Sequence, residues 1–595
     1  MINNRINNLR NLLKEYNIDA YIVPGTDPHQ NEYIPEFWQR REWITGFTGS
    51  YGNFAVTKKA SGLWTDSRYF IQAENELKTT EIKLFKINTP HTPNIHSWLL
   101  DNLKKESTIG LDPRLITQKQ SEQMDKDFSQ RNITIKSIES NLIDILWKNK
   151  PVISNSPILI HPTEYSGKPV KDKLLEVRKL IIEKNAEIHI ISTLDAIAWL
   201  FNLRGNDIKY NPLFISYAVI TKENADIFVR DSIITEDIRN YLKDYAEIFP
   251  YDEFKKRISH FSKKDILIDP LHTSKWIADA VSQHDNNIIY AESPVILNKA
   301  TKNPSEVTGF RNAHKRDGTA LVKFFFWLKN ELPGNSISEI SASEKLEQFR
   351  SRQELYSGPS FHTISGYREH GAIVHYSASA KTDLTLKQEG LLLIDSGSQY
   401  LDGTTDVTRT ISLGTPTQEE KFFYTYVLKC HINLAQAVFP CGTKGVQLDS
   451  LARRHLWDIG EDYGHGTGHG IGSYLNVHET PPGISSHCST FDNPLSENMF
   501  LSIEPGIYKE GNFGIRIENL VIVVKHKKLS KDDRAFLCFE PVTLCPFDIA
   551  LIDKSLLSDK EIEYINHYHE KVYNVLKNYL SREERNWLLS ITISL

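Results

Sequence analysis

The segment LLLIDSGSQYLDGTTDVTRTIS, residues 391–412, decides how the C-terminal half of the chain is read. Four consecutive apolar residues, Leu391 to Ile394, have the character of a buried strand, and they end in Asp395. A carboxylate at the end of a buried strand needs a partner, because an unpaired buried charge is costly. Asp402-Gly403 is a turn signal, and the run VTRTISL after it reads as a second strand opened by Asp406. A hairpin of this kind sets Asp395 beside Asp406, where the two repel unless a cation or proton lies between them. The pattern recurs downstream. Glu504 ends the apolar run 499–503, the turn-rich PGIYKEGNFG follows, and Glu518 lies in GIRIEN at 514–519. Again a strand, a loop and a strand deliver two carboxylates to one place.

A histidine is the fifth member of the set. GHGTGHG, residues 464–470, spaces His465 and His469 four apart. A helix would put them on one face, but its glycines would cost about 1 kcal/mol each. The segment is therefore expected to be a loop, where glycine lets the backbone approach a ligand closely. His478-Glu479 follows, but Pro482 stands where H-E-x-x-H requires its second histidine, so a zincin is excluded. Four carboxylates and an imidazole carry a charge that two divalent cations would balance. Oxygen-rich ligation favours Mn or Co over a structural zinc. Two such ions held close together activate water at neutral pH.

Outward from this region, 595 residues are enough for three or four domains. With 40% hydrophobic and 24% charged residues, large cores can form. A net charge of −5 without a basic stripe gives no reason to expect nucleic acid as a partner. The five cysteines (Cys430, Cys441, Cys488, Cys538 and Cys545) form no C-x-x-C pair, so inert reduced thiols are expected. No run reaches the roughly 18 apolar residues of a membrane span. The N-terminus has helical spacing at Ile2, Ile6, Leu9, Leu12 and Leu13 rather than the apolar core of a signal peptide. A cytoplasmic chain without a membrane partner is expected.

Three blocks emerge: 1–150, 151–300 and 301–595. The first runs helix, strand Ala20 to Val23, then two strands within GNFAVTKKASGLWTDSRY and a helix near FIQAENEL. The second repeats the order. Leu174, Leu175, Val177, Leu180 and Ile181 mark a helix face, EIHIIS a strand, Ser192 with Asp195 a capping box, and FISYAVIT and ADIFV a hairpin. Trp43 to Phe47 and Trp199 to Leu203 correspond, which points to an internal duplication. The third block opens on a long helix with Asn303-Pro304 as cap and first turn. It closes on a helix bearing Ile562, Ile565, Val572 and Leu576.

Taken together, Asp395 and Asp406 in their strands, HGTGHG at 465–470, NVHE at 476–479, EPG at 504–506 and GIRIEN at 514–519 resemble the Xaa-Pro aminopeptidases of the "pita-bread" metallopeptidases. The resemblance extends to WTDSRY at 64–69 and WLFNLRG at 199–205, and so covers nearly the whole chain. It implies an α+β fold, with a curved antiparallel sheet flanked by helices in a C-terminal catalytic domain and two smaller α/β creatinase-like domains before it. It implies two divalent ions, Mn²⁺ foremost with Co²⁺ or Zn²⁺ as alternatives, held by Asp395, Asp406, His469, Glu504 and Glu518. His375 and His478 would bind substrate and stabilise the tetrahedral intermediate, and Glu504 would also shuttle a proton. His465 would line the proline pocket, Tyr508 would hydrogen-bond in the site, and Arg516 would hold a ligand carboxylate. A hydroxide bridging the ions would cut peptides with proline at position two. A homodimer is implied as well.

Each residue also has a plainer reading. A lone Asp at a turn is usually structural, which suffices for Asp402 and Asp27. His375 could be a core histidine in an apolar strand, His362 and His370 surface or loop residues, and Arg409 one half of a structural ion pair. The alternatives are a prolidase-type dipeptidase or methionine aminopeptidase of the same fold, which share the ligands, and a non-catalytic binding module, which would have lost them. The complete ligand set argues for an enzyme.

Overall fold

The computed structural model describes residues 1–486, 493–531 and 534–595, and Cys488 lies outside them. The chain divides into two compact units, residues 1–161 with 168–296, and residues 162–167 with 297–595.

The first unit contains two six-stranded sheets. Strands β1 (Ala20–Val23), β2 (Asn53–Thr57), β3 (Ser61–Thr65), β4 (Lys83–Lys86), β5 (Thr108–Leu111) and β6 (Thr134–Ser137) are ordered β4-β3-β2-β1-β5-β6. Strands β7 (Ile188–Ile191), β8 (Ser216–Thr221), β9 (Ala225–Val229), β10 (Glu247–Pro250), β11 (Asp265–Ile268) and β12 (Asn287–Tyr290) are ordered β10-β9-β8-β7-β11-β12. Parallel and antiparallel pairings match strand for strand. The two tryptophan segments occupy equivalent places. Each ends a short helix, at Gly46 (φ 75°) and Asn202 (φ 49°), in the left-handed conformation that glycine and asparagine tolerate best. The repeats meet at Thr117 and Ser274, which cap equivalent helices α1 (Gln118–Ser129) and α2 (Lys275–Val281) and bridge to each other. The capping box expected at Ser192 and Asp195 does not form. The N-cap is Thr193, without a side-chain bond, and Ser192 Oγ donates to the carbonyl of His272 instead.

The second unit begins on α3 (Pro304–Glu331). Asn303 caps it in a reciprocal capping box with Glu306, and Pro304 occupies its first turn. Strands β13 (Ile364–Tyr367), β14 (Leu391–Ser396) and β15 (Val407–Ser412) form an antiparallel sheet in that order. The second sheet is antiparallel throughout. It comprises β16 (Val438–Pro440), β17 (Gly468–Gly470), β18 (Glu479–Ile484), β19 (Phe500–Ile503), β22 (Asn519–Lys525) and β23 (Phe536–Pro541), in the order β16-β23-β22-β19-β17-β18. Strands β20 (Gly506–Lys509) and β21 (Phe513–Arg516) make a hairpin of their own, and Tyr356–Pro359, Ser398–Tyr400 and Gly403–Thr404 form a small antiparallel sheet. Helices α4 (Gln418–Ala435), α5 (Gly445–Trp457) and α6 (Asp559–Leu576) pack their apolar faces on these elements. The chain ends on a further helix, α7 (Arg582–Ile591), beyond the one read as last.

Candidate metal centre

Strand register brings the first carboxylates together. Asp395 is paired across β14 and β15 with Thr408, and Asp406 immediately precedes β15. Ile503 at the end of β19 faces Asn519 at the start of β22, so Glu504 and Glu518 leave the second sheet at the same end of two adjacent central strands. The backbone N–H of Glu518 donates to the carbonyl of Thr408, which ties the two sheets at that point (3.1 Å). His469 is not in a loop but in the short strand β17. A Cβ at Gly468 would lie 2.0 Å from the carbonyl oxygen of Ser502, so only glycine permits the pairing that carries this histidine.

One ligand atom each from Asp406, His469 and Glu518 falls within 4.8 Å of the others. His469 Nε2 is 3.5 Å from both Asp406 Oδ2 and Glu504 Oε1. Its Nδ1 faces the Gly470 carbonyl at 2.9 Å. A carbonyl can only accept, so the proton sits on Nδ1 and the Nε2 lone pair points at the carboxylates. Asp395 Oδ2 accepts from Arg516 Nη2 (2.7 Å), Glu518 Oε2 from Thr408 Oγ1 (2.9 Å) and Glu504 Oε1 from Ser502 Oγ (3.0 Å). The other oxygens of Asp395 and Glu518, Oδ1 and Oε1, are buried without a hydrogen-bond partner.

Burial, reinforced by repulsion from the other carboxylates, pushes the carboxyl groups of Asp406 and Glu518 well above their ordinary range. Burial raises Glu504 too, against the pull of the Arg516 guanidinium. The protein alone thus favours protons on this cluster, and a bound cation would reverse that preference. Orphaned acceptor oxygens, a preset imidazole lone pair and like-signed buried charge all fit a pair of hard divalent ions.

The remaining expected site residues sit around this cluster. The His478 ring lies 4.3 Å from that of His469, edge to face. His465 Nδ1 donates to the Gly466 carbonyl, and its Nε2 accepts from Tyr508 OH (2.8 Å). Tyr508 OH accepts in turn from Arg516 Nη1 (2.7 Å). Burial pushes the Tyr508 phenol up to about 12, so it keeps its proton and can donate. His375 is not in a strand. It is half-buried in a turn beside Val374, whose carbonyl accepts from Arg516 Nη2 (3.3 Å). His362 is exposed, whereas His370 is half-buried, bonded to Glu339 (2.9 Å) and stacked on Tyr376. Among the described residues Arg409 makes hydrogen bonds to neutral groups only and pairs with no carboxylate side chain.

The comparisons agree with this geometry. Residues 5–144 and 149–306 match the creatinase/prolidase N-terminal domain, 308–525 metallopeptidase family M24, and 535–595 the C-terminal region of that peptidase. A protein of Paracoccidioides brasiliensis (strain Pb03) named as a probable Xaa-Pro aminopeptidase P is 40% identical over 602 residues, covering 98% of each chain. The chain belongs to the Xaa-Pro aminopeptidase family of M24 metallopeptidases. An Aspergillus fumigatus aminopeptidase P of the same name is 39% identical, covering 98% of this chain and 91% of its own. The crystal structure of X-prolyl aminopeptidase from Caenorhabditis elegans, a cytosolic enzyme with a di-nuclear active site, superposes with a TM-score of 0.96 at 35% identity, covering 100% of both chains. The second unit is thus the pita-bread domain of an M24 hydrolase, and the paired sheets of the first are creatinase-type. Among the described residues no helix is long and apolar enough to cross a membrane.

Reading the sequence missed the partners of the carboxylates. Thr408 and Ser502 each lie two residues from a member of the cluster, Asp406 and Glu504, so strand alternation already placed them on the same face. It also missed Glu479. That buried carboxylate follows His478 and is held by Lys299 (2.6 Å) and Lys302.

Proposed function

We propose that this enzyme releases the N-terminal residue from peptides whose second residue is proline, with two divalent ions, Mn²⁺ foremost, held by Asp395, Asp406, His469, Glu504 and Glu518. The observation that carries the reading is the like-signed carboxylate cluster around the His469 lone pair, with acceptor oxygens of Asp395 and Glu518 left unpaired. When bound, such ions lower the pKa of a shared water toward neutrality and polarise the scissile carbonyl. By the family resemblance Asp406 and Glu518, the most deeply buried of the carboxylates, would help to hold both ions.

The chain's own residues supply the rest. His478, edge-on to His469, and His375, in the turn pinned by Arg516, face the substrate and stabilise the developing oxyanion. Glu504 takes a proton and passes it to the departing prolyl nitrogen. That nitrogen carries no N–H in the peptide, so a site built to receive it does not depend on gripping an amide hydrogen. His465, locked between Gly466 and Tyr508, gives the proline ring a rigid wall. Arg516 links Tyr508 to Asp395, coupling that wall to the ligand set. On the same family grounds we place the enzyme in the cytoplasm as a homodimer.

The test compares an Xaa-Pro-Yyy tripeptide, an Xaa-Pro dipeptide and a Met-Ala-Ser tripeptide on Mn²⁺-loaded protein, with Asp406→Ala as control. Cleavage of the first alone, lost in the variant, is expected. Preference for the dipeptide would make the enzyme a prolidase, and preference for the Met peptide a methionine aminopeptidase. No cleavage with any divalent ion would leave a binding module.

A further inference from the structure

Behind the carboxylate cluster lies a second polar system that the reaction chemistry does not use. Arg409, 1% exposed, places its five N–H groups on neutral acceptors. Nε donates to the Pro546 carbonyl (3.0 Å), and Nη1 to the carbonyls of Thr408 (2.8 Å) and Glu518 (2.6 Å). Nη2 reaches Asn519 Oδ1 (2.7 Å), the Cys545 carbonyl (2.6 Å) and Tyr568 OH (3.0 Å). From Asn519 the network continues, its Nδ2 donating to His431 Nε2 (3.3 Å). His431 Nδ1 then donates to the carbonyl of Ile503 (3.1 Å). One continuous chain of hydrogen bonds therefore runs from the residue before Glu504 to Glu518 itself.

We propose that Arg409, Asn519 and His431 are positioning residues, a buried bracket that holds the backbone at Ile503 and Glu518 and so fixes where the Glu504 and Glu518 carboxylates stand in the metal-binding cluster. The proposal rests on the metal-peptidase reading above. Its physical basis is that the bonds orient one another. The Ile503 carbonyl requires the proton on His431 Nδ1, which makes Nε2 an acceptor, turns the Asn519 amide N–H₂ toward it and leaves Oδ1 for the guanidinium. Each member fixes the orientation of the next, and a buried network of this kind is rigid only when complete. Groups that orient metal ligands from behind contribute about 10–100-fold in metal affinity or activity.

The bracket also gives the C-terminal segment a role in the site. Cys545, Pro546 and Tyr568 all lie in residues 535–595, so the region after the M24 match supplies three of the six acceptors around Arg409. Tyr568, on α6, is also within hydrogen-bonding distance of Asn519 Oδ1 (3.2 Å).

The test uses the full chain stripped of metal. Mn²⁺ binding is followed by calorimetry, kcat and KM are measured on an Xaa-Pro-Yyy tripeptide after reloading, and the unfolding midpoint is recorded beside them. His431→Phe removes both bonds of the imidazole and is expected to weaken Mn²⁺ binding and lower kcat by about 10–100-fold, with KM within about twofold of the parent. His431→Gln can donate to Ile503 and accept from Asn519, and is expected to recover most of the loss. Should His431→Phe fail to fold, Tyr568→Phe, which deletes one hydroxyl, carries the test with at least about threefold weaker binding. Mn²⁺ affinity and kcat within twofold of the parent in every folded variant, beside a lowered unfolding midpoint, would overturn the proposal and make the network a stabiliser of the fold alone. A parent that binds two Mn²⁺ but cleaves no Xaa-Pro peptide sinks the functional reading, while the affinity series still decides the bracket. A parent that binds no Mn²⁺ sinks both.

Discussion

The two units bury charge in opposite ways. In the first, several buried charges are paired with an opposite one, and others, such as Asp27, are held by neutral hydrogen-bonding groups. Arg40 makes a two-pronged contact with Asp144 (2.8 Å each), Arg114 another with Asp112 (2.9 and 2.7 Å), and Arg230 reaches Asp207 (2.8 Å). Buried Lys173 donates to the Trp199 carbonyl and Asn202 Oδ1. The second unit has matched pairs too, such as Arg350 with Asp317 (2.9 Å). Its carboxylate cluster is the exception, since among the described residues only Asp395 of the four carboxylates accepts directly from a guanidinium, that of Arg516, while Asp406 and Glu518 repel one another. Matched burial is compatible with a purely structural role, and apolar groups could replace it. Accumulated burial of one sign is a cost to the empty protein and makes sense only for a site that receives cations.

The largest effect that would break this contrast is at Asp406. Asp406→Ala is expected to lower kcat/KM on an Xaa-Pro-Yyy peptide by more than about 10³-fold, beyond what loss of an outlying partner does. The metal-free variant is expected to unfold no earlier than the metal-free parent, because one repelling charge is gone. A metal-free variant that unfolds markedly earlier would show that Asp406 belongs with the matched, structural charges.

The histidines of the first unit give the next effect. Burial pushes His29 and His189 down from 6.5 to about 4. Folded, each stays neutral; unfolded, each takes a proton as pH falls below 6.5. Stability from these groups is therefore complete above pH 6.5 and is lost as pH falls toward 4, on the order of 3 kcal/mol apiece. Urea unfolding of the metal-free chain across this range, followed by hydrogen exchange in each repeat, should show the loss in the first unit. In the cluster the sign is reversed, because raised carboxyl groups destabilise the empty site as pH rises. A pH-independent first unit would mean that its imidazoles are already charged when folded.

Next comes a matched pair. Asp144→Ala strands Arg40 in the interior, with Lys150 also losing a partner (2.9 Å). The expected cost is about 2 kcal/mol, less than for a fully enclosed pair because Asp144 is partly exposed. Calorimetry should find Mn²⁺ affinity unchanged.

How far this could be read from sequence follows the same division. Asp395, Asp406, Glu504 and Glu518 were legible because each stands at a strand end beside a turn, where local rules apply. The repeat was legible because Gly46 and Asn202 mark the same left-handed helix end after a tryptophan. What escaped was set by long-range closure. Lys299 meets Glu479 across 180 residues, and Arg409 meets Tyr568 across 159. No local spacing encodes either contact, so Arg409 looked like a candidate for an ion pair. His375 was misread for a different reason, since AIVHY has strand composition but ends the helical segment Arg368–Ala372 and then turns.

The smallest effect tests whether the contrast is confined to charge. The final helix α7 was missed although Ser581 and Glu584 spell a capping box, and the structure forms it reciprocally. In the first unit Thr235 caps the helix Glu236–Leu242 through the N–H of Ile238. Ser581→Ala and Thr235→Ala are each expected to cost about 1 kcal/mol, measured as the shift in urea midpoint of the unit that carries them. Capping exchanges a water for a hydroxyl at an exposed backbone N–H, and that exchange depends little on what is buried nearby. Equal losses would mean that the units obey the same local energetics and differ only in how charge is enclosed. A loss confined to one unit would mean that the other is held by its packing and tolerates a frayed helix, and the contrast would then extend beyond the carboxylates.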